Sequence, residues 1–215
     1  MVAQPQAAAV ASPRVGVLAL QGDYDAHALA LEEAGAQAVA VRLPTELFEL
    51  DALVIPGGES SALLKLMARD GLFDALRDFA AKKPVFGTCA GCILLARRVV
   101  APKQPSLGVL DVTVERNAYG RQIESAILRT PTTLGGEPIE TVYIRAPRIM
   151  ATGPAVEVLA MRDGSPVLVR QNHVLASTFH PELTADRRVH RLFCTMAMEY
   201  GRIDRDLTRP IDVAG

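Results

Sequence analysis

The sequence predicts an α/β fold, an open and mostly parallel sheet with helices on both faces and an antiparallel extension. Two observations carry the prediction. In the first half, short Val- and Leu-rich runs alternate with segments of helical period. Strand, helix, strand at that spacing calls for crossover connections, hence parallel pairing with both faces of the sheet covered. In the second half, several short β-like runs follow one another with Gly and Pro between them, the pattern of antiparallel neighbours.

Taken in order, residues 15–20 form a buried strand, residues 24–34 a helix ended by Gly35, and residues 39–41 a second strand. Residues 51–55 form a third strand, stopped by Pro56-Gly57-Gly58. Helices follow at about residues 61–69 and 73–81, and residues 84–86 form a fourth strand. It enters Gly87-Thr88-Cys89-Ala90-Gly91 and a helix over residues 92–98. The later β-like runs, residues 109–114, 141–145, 156–160, 167–170 and 174–179, extend the same sheet and do not build a new domain. A last helix over residues 184–200 places Val189, Leu192, Phe193 and Met196 on one face, where they cap the core.

Composition removes several functional classes. With 23 Lys and Arg against 24 Asp and Glu, the net charge is −1, and the two signs are interspersed. That leaves no electrostatic footprint for nucleic acid or an anionic membrane. No apolar run approaches the ~20 residues needed to span a bilayer. Residues 1–13 hold no basic side chain and no apolar core, which reads as a disordered tail and not a signal peptide. Residues 14–200 then form one domain and residues 201–215 a C-terminal tail. Three cysteines in 215 residues are too few for a disulfide scaffold, so the expected compartment is the cytoplasm, where a thiol acts chemically.

The chemistry concentrates at Gly87-Thr88-Cys89-Ala90-Gly91, the thiol counterpart of a nucleophile elbow at a strand-to-helix turn. Such a turn strains the backbone of its central residue, and the two glycines remove Cβ atoms that would collide. A helix start next to the sulfur favours the thiolate and leaves backbone N–H groups free, among them that of Ala90, for an oxyanion. Other readings stand beside this one. Cys89 could be a small buried hydrophobe, or Cys89 and Cys92 a C-x-x-C redox pair. A zinc site is disfavoured because no second Cys/His pair has metal spacing.

Of the four histidines, His27 and His190 fall on helices expected at the surface and His173 at the start of a strand. His180 leaves a strand within His180-Pro181-Glu182, at the sheet edge where ligands of open α/β folds bind. The spacing lets Glu182 hold one ring nitrogen of His180, giving a Cys89-His180-Glu182 triad. Pro56-Gly57-Gly58-Glu59-Ser60 is a strand-ending turn and helix cap that also lets a ligand approach the backbone, so the Gly58 N–H is a second candidate oxyanion donor.

These stretches resemble the glutaminase subunits of pyridoxal 5′-phosphate synthases, a branch of the triad-type (class I) glutamine amidotransferases. The resemblance rests on Leu18-Ala19-Leu20-Gln21-Gly22, Ile55-Pro56-Gly57-Gly58-Glu59-Ser60-Ser61, Phe86-Gly87-Thr88-Cys89-Ala90-Gly91 and Ser177-Thr178-Phe179-His180-Pro181-Glu182-Leu183-Thr184. The stretches Val114-Glu115-Arg116-Asn117-Ala118-Tyr119-Gly120-Arg121-Gln122 and Tyr143-Ile144-Arg145-Ala146-Pro147 look like this branch in particular. It implies a flavodoxin-like fold and hydrolysis of L-glutamine to glutamate and ammonia. Cys89, His180 and Glu182 would be catalytic, and Gly58, Glu59, Ser60, Arg116, Ile144 and Arg145 would bind L-glutamine. Gln21 would lie near the oxyanion region and the partner interface. No metal and no bound cofactor are implied. The implied partner is a (β/α)8-barrel synthase subunit in a large hetero-oligomer. Cys92 departs from the family, which usually has an aliphatic residue there, and Ser61 stands where Thr is common.

Overall fold

The computed structural model describes residues 12–116 and 125–208. Asn117 to Gln122 of the branch-specific stretch, residues 1–11 of the expected N-terminal tail and residues 209–215 of the C-terminal one lie outside the described residues. The first half contains β1 (Arg14–Leu18), α1 (Tyr24–Glu33), β2 (Gln37–Val41), β3 (Ala52–Ile55), α2 (Ser60–Met67), α3 (Leu72–Ala80), β4 (Val85–Thr88) and α4 (Ala90–Leu95). The second half contains β5 (Ala96–Val100), β6 (Leu110–Glu115), β7 (Ala126–Thr130), β8 (Ile139–Tyr143), β9 (Arg148–Thr152), β10 (Glu157–Arg162), β11 (Ser165–Gln171), β12 (Val174–Ser177) and α5 (Arg188–Thr208).

The main sheet has seven strands in the order β10-β11-β12-β4-β3-β1-β2. The five from β12 to β2 are parallel, and β11 and β10 add on antiparallel at one side. Period-two alternation gives the sheet its two buried faces. Val15, Val17, Val54 and Phe86 pack with Leu31 of α1 and Val189 and Phe193 of α5. Leu18, Leu53, Ile55 and Val85 point the other way, onto Leu63 and Met67 of α2 and Leu72 and Leu76 of α3. Each of these fully buried side chains contributes about 1.5–3 kcal/mol. This is the α/β, flavodoxin-like arrangement the sequence predicts.

Three expectations need correction. The helix after the cysteine turn is not residues 92–98: α4 ends at Leu95, and β5 starts at Ala96, pairing parallel with β6. Arg97 and Arg98 face solvent while Ala96 and Val99 are buried, so Val99 and Val100 act as β-branched strand residues. The last helix begins at Arg188, not 184, and runs to Thr208. Pro181–Leu183 form a separate 3-10 turn, and Asp186 accepts the Arg188 backbone N–H at the new helix start. Finally, only β10, β11 and β12 of the second-half strands join the main sheet. β5, β6 and β9 form a three-stranded sheet, and β7 and β8 a two-stranded one.

Candidate active site

Parallel strands all leave a sheet at the same edge, and here that edge gathers the chemistry. Gln21 follows β1, Gly57 and Gly58 follow β3, Cys89 follows β4 and His180 follows β12. The register Ser177↔Thr88 puts the ends of β12 and β4 side by side. The Cys89 backbone N–H donates to the Ser177 carbonyl at 2.9 Å, and the His180 N–H to the Val142 carbonyl at 2.8 Å.

Cys89 has φ 49° and ψ −102°, a conformation costly for a residue with a Cβ. Packing around two glycines imposes it. A Cβ on Gly91 would lie 2.0 Å from the Ile55 carbonyl oxygen, and one on Gly87 would lie 2.5 Å from the Gly91 carbonyl carbon. The turn can therefore seat itself under β3 only with glycine at both positions.

His180 Nδ1 lies 2.7 Å from Glu182 Oε1, and the Glu182 side chain is fully buried. Burial alone would lower the His180 pKa, but hydrogen bonds and charges from Cys89 and Glu182 outweigh it and push it up to about 10. Burial alone would raise the Glu182 carboxyl, yet His27 on one oxygen and His180 on the other hold it below the ordinary carboxylate range. With Nδ1 committed to Glu182, Nε2 is the ring nitrogen left for Cys89. That arrangement can activate a thiol and pass a proton to a leaving group.

Gly58, Glu59, Ser60, Arg116, Ile144 and Arg145 line one cavity of about 290 Å3 together with Cys89 and His180. That volume suits a single small metabolite. Glu59 caps α2 through the Ser61 and Ala62 N–H groups and meets Arg116 Nη2 at 3.3 Å. Hydrogen bonding from Ser61 keeps its carboxyl below the usual range. Among the groups lining the cavity, Arg116 and Glu59 offer a cation and an anion a short distance apart, a match for a zwitterion. Arg145 sits at φ 46°. Ala90, the first residue of α4, is buried directly after Cys89, and Gln21 Oε1 accepts the Glu59 N–H at 3.2 Å.

Sequence reasoning missed several residues here. A Cβ on Gly57 would lie 2.4 Å from His180 Cε1. Gln104 accepts the Ser60 hydroxyl at 3.1 Å. His27 and His190, expected at the surface, are both 0% exposed. His27 Nε2 lies 3.1 Å from Thr88 Oγ1 and 3.3 Å from Glu182 Oε2, and its Nδ1 lies 3.2 Å from His190 Nε2. Each histidine opens a buried stripe at i, i+3, i+4: His27 with Ala30 and Leu31, His190 with Phe193 and Cys194. That spacing is the signal that could have found them.

The dithiol alternative loses support. All three cysteines are free, and Cys92 is completely buried, which pushes its thiol up to about 12. Among the described residues, no cluster of three or more His, Cys, Asp or Glu could hold a metal ion, and no helix is long and apolar enough to cross a membrane.

Comparison with known proteins agrees with this geometry. Residues 17–199 match the SNO glutamine amidotransferase family. The chain is 62% identical over 183 residues to a pyridoxal 5′-phosphate synthase subunit PdxT of Koribacter versatilis, covering 85% of this chain and 95% of that protein. It is 54% identical over 200 residues to a PdxT subunit of Acidothermus cellulolyticus, covering 89% and 97%. A crystal structure of a glutamine amidotransferase superposes with a TM-score of 0.79 at 49% identity, covering 85% of this chain and 98% of that one. A match over nearly all of the ordered sheet, including the strand ends that carry Cys89 and His180, means that the chain belongs to the SNO glutamine amidotransferase family.

Proposed function

We propose that the chain is a glutaminase that hydrolyses L-glutamine to L-glutamate and ammonia through a Cys89 thioester. One observation carries the reading: Cys89, in a strained turn, shares the cavity wall with an imidazole whose Nδ1 is held by a buried carboxylate. In the cycle, the Cys89 sulfur attacks the side-chain amide carbon of glutamine, and the backbone N–H groups of Gly58 and Ala90 receive the oxyanion. His180 then gives its proton to the departing ammonia, leaving a thioester. Water, deprotonated by His180, cleaves the thioester and releases glutamate and the free thiol. Glu182 keeps the His180 tautomer fixed throughout. Arg116 receives the substrate carboxylate and Glu59 its ammonium group, with Ser60, Ile144 and Arg145 completing the binding wall.

The names of the relatives point to the destination of the ammonia, pyridoxal 5′-phosphate (vitamin B6) synthesis. A chain of 215 residues whose cavity holds one small substrate needs a separate acceptor site. That site belongs to a (β/α)8-barrel synthase subunit in a hetero-oligomer, with Gln21 on the side toward it. Residues 14–200 form the glutaminase domain, with α5 continuing past its end to Thr208, and the protein works in the cytoplasm. The test is glutamate release by the chain mixed with its synthase subunit. Wild type should be active and Cys89→Ala inactive; equal rates for the two would end the reading.

A further inference from the structure

The cycle above leaves a buried pair of histidines unused. Glu182 has two oxygens, and only Oε1 is committed to His180. Oε2 has no access to solvent and no aligned hydrogen-bond donor among the described residues, yet His27 Nε2 lies 3.3 Å from it. A carboxylate fixed at one oxygen alone can still rotate about that contact, and its rotation would turn His180 with it.

The protons on the two histidines can be placed by elimination. His27 Nδ1 and His190 Nε2 are 3.2 Å apart, so one of them donates to the other. If His27 donated from Nδ1 and carried its only proton there, Nε2 would accept from the Thr88 hydroxyl and turn a lone pair toward the carboxylate. His190 would then carry its own proton on Nδ1, where no partner accepts it. The opposite assignment pairs every ring N–H, with the Thr88 hydroxyl oxygen accepting. His190 Nε2–H donates to His27 Nδ1, and His27 Nε2–H is directed at Thr88 Oγ1, 3.1 Å away, beside Glu182 Oε2. Burial, with His27 alongside, pushes the His190 pKa down to about 3, which agrees with a neutral ring. Phe86 holds both rings in edge contact, at interplanar angles of 88° and 81°.

We propose that His27 is a positioning residue for the triad: with its tautomer set by His190, its Nε2–H, directed at Thr88 Oγ1 and 3.3 Å from Glu182 Oε2, restrains that second oxygen electrostatically and so the orientation of His180. Thr88 immediately precedes Cys89, so the same N–H also ties the nucleophile's strand to the carboxylate. The inference rests on the glutaminase reading and extends its catalytic line inward, from His180 through Glu182 to His27 and His190.

Two substitutions at position 27 separate this role from packing. In His27→Asn the side-chain oxygen still accepts from His190, but nothing replaces the Nε2–H. In His27→Gln an amide N–H stands near Nε2. In the complex with the synthase subunit, His27→Asn should lower glutaminase kcat at least about tenfold, with KM within about twofold of wild type. His27→Gln should recover most of that loss. In a Glu182→Gln background, His27→Asn should cost nothing further, because it acts through Glu182. His190→Phe keeps ring volume and removes the tautomer-fixing donor, so it too should lower kcat at unchanged KM. Equal kcat for His27→Asn and His27→Gln, a full additional loss in the Glu182→Gln background, or unchanged kcat in His190→Phe overturns the inference. An active wild type with unaffected variants sinks this inference alone, whereas a wild-type complex that releases no glutamate sinks the glutaminase reading.

Discussion

Gly57 and His180 pack so closely that a Cβ at position 57 would lie 2.4 Å from His180 Cε1 and 3.1 Å from Nδ1. Nothing about the Gly57 backbone forbids alanine, since its φ is not positive. The imidazole would have to move instead, out of its alignment with Cys89 and Glu182. Displacing a reacting group by a fraction of an ångström to 1 Å costs on the order of 100-fold in rate. Gly57→Ala should therefore fold with little change in melting temperature while glutaminase kcat falls by about that factor. A kcat within about twofold of wild type would show that the pocket absorbs the methyl group without moving His180.

That constraint marks the limit of what the sequence discloses. Cys89, His180 and Glu182 are legible because they lie one, three and five residues past a strand end, where local spacing places them. Gly57 reads as one half of a turn, and only the fold brings His180, 123 positions later in the chain, against it. The buried histidines are hidden differently. Helix α1 has exposed Leu29 at 54% and buried His27 at 0%, so hydrophobicity taken residue by residue points to the wrong face. The separate β5-β6-β9 sheet depends on pairing between distant strands, which period-two patterning cannot assign.

Gly91 meets backbone, which yields less readily than a ring. A Cβ there would fall 2.0 Å from the Ile55 carbonyl oxygen in the middle of the main sheet. Gly91→Ala should destabilise the fold by about 3 kcal/mol, the upper end of the ordinary overpacking range. Urea unfolding followed by circular dichroism measures it. A loss under about 0.5 kcal/mol, the scatter of neutral surface substitutions, would mean that α4 can lift away from β3 at little cost.

Arg116 is mostly buried and already faces Glu59 across the cavity at 3.3 Å. Lysine would keep the charge but lose the planar fork that can hold a substrate carboxylate through two parallel bonds. A charge-assisted hydrogen bond contributes about 1.5–3 kcal/mol, so Arg116→Lys should raise the KM for glutamine roughly 10- to 100-fold. The chemical step happens at the far end of the substrate, so kcat should change far less. A large fall in kcat at constant KM would place Arg116 in the chemistry instead of in binding.

The acid limb of the stability curve offers a test that needs no substrate. His190 is neutral in the fold, its pKa pushed from 6.5 down to about 3 by burial and the neighbouring His27. Between those values the unfolded chain binds a proton that the folded chain does not, so stability is complete above pH 6.5 and falls as pH drops toward 3. The slope for one such group is about 1.4 kcal/mol per pH unit. Glu182 works in the same direction but begins lower: its carboxyl is held below 4.5, so its contribution is present above pH 4.5 and lost beneath it. Glu46, Glu59 and Asp186 are likewise lowered from 4.5, 4.5 and 3.8 and act below the same limit. His180 has the opposite sign. Its pKa is raised to about 10, so its contribution is fully present below pH 6.5 and is lost progressively as pH rises from 6.5 through about 10. Of these groups only His190 acts from pH 6.5 to 4.5, and its contribution to wild-type stability should fall by roughly 2 to 3 kcal/mol across that interval. His190→Phe, with a ring of the same kind against Phe86 and no proton to bind, should be flat over that interval and then fall in parallel with wild type below pH 4.5. Denaturant titrations at half-unit steps of pH read the difference directly. An equally steep limb in His190→Phe would mean that the proton taken up on acid unfolding binds elsewhere and that His190 does not resist charging in the folded chain.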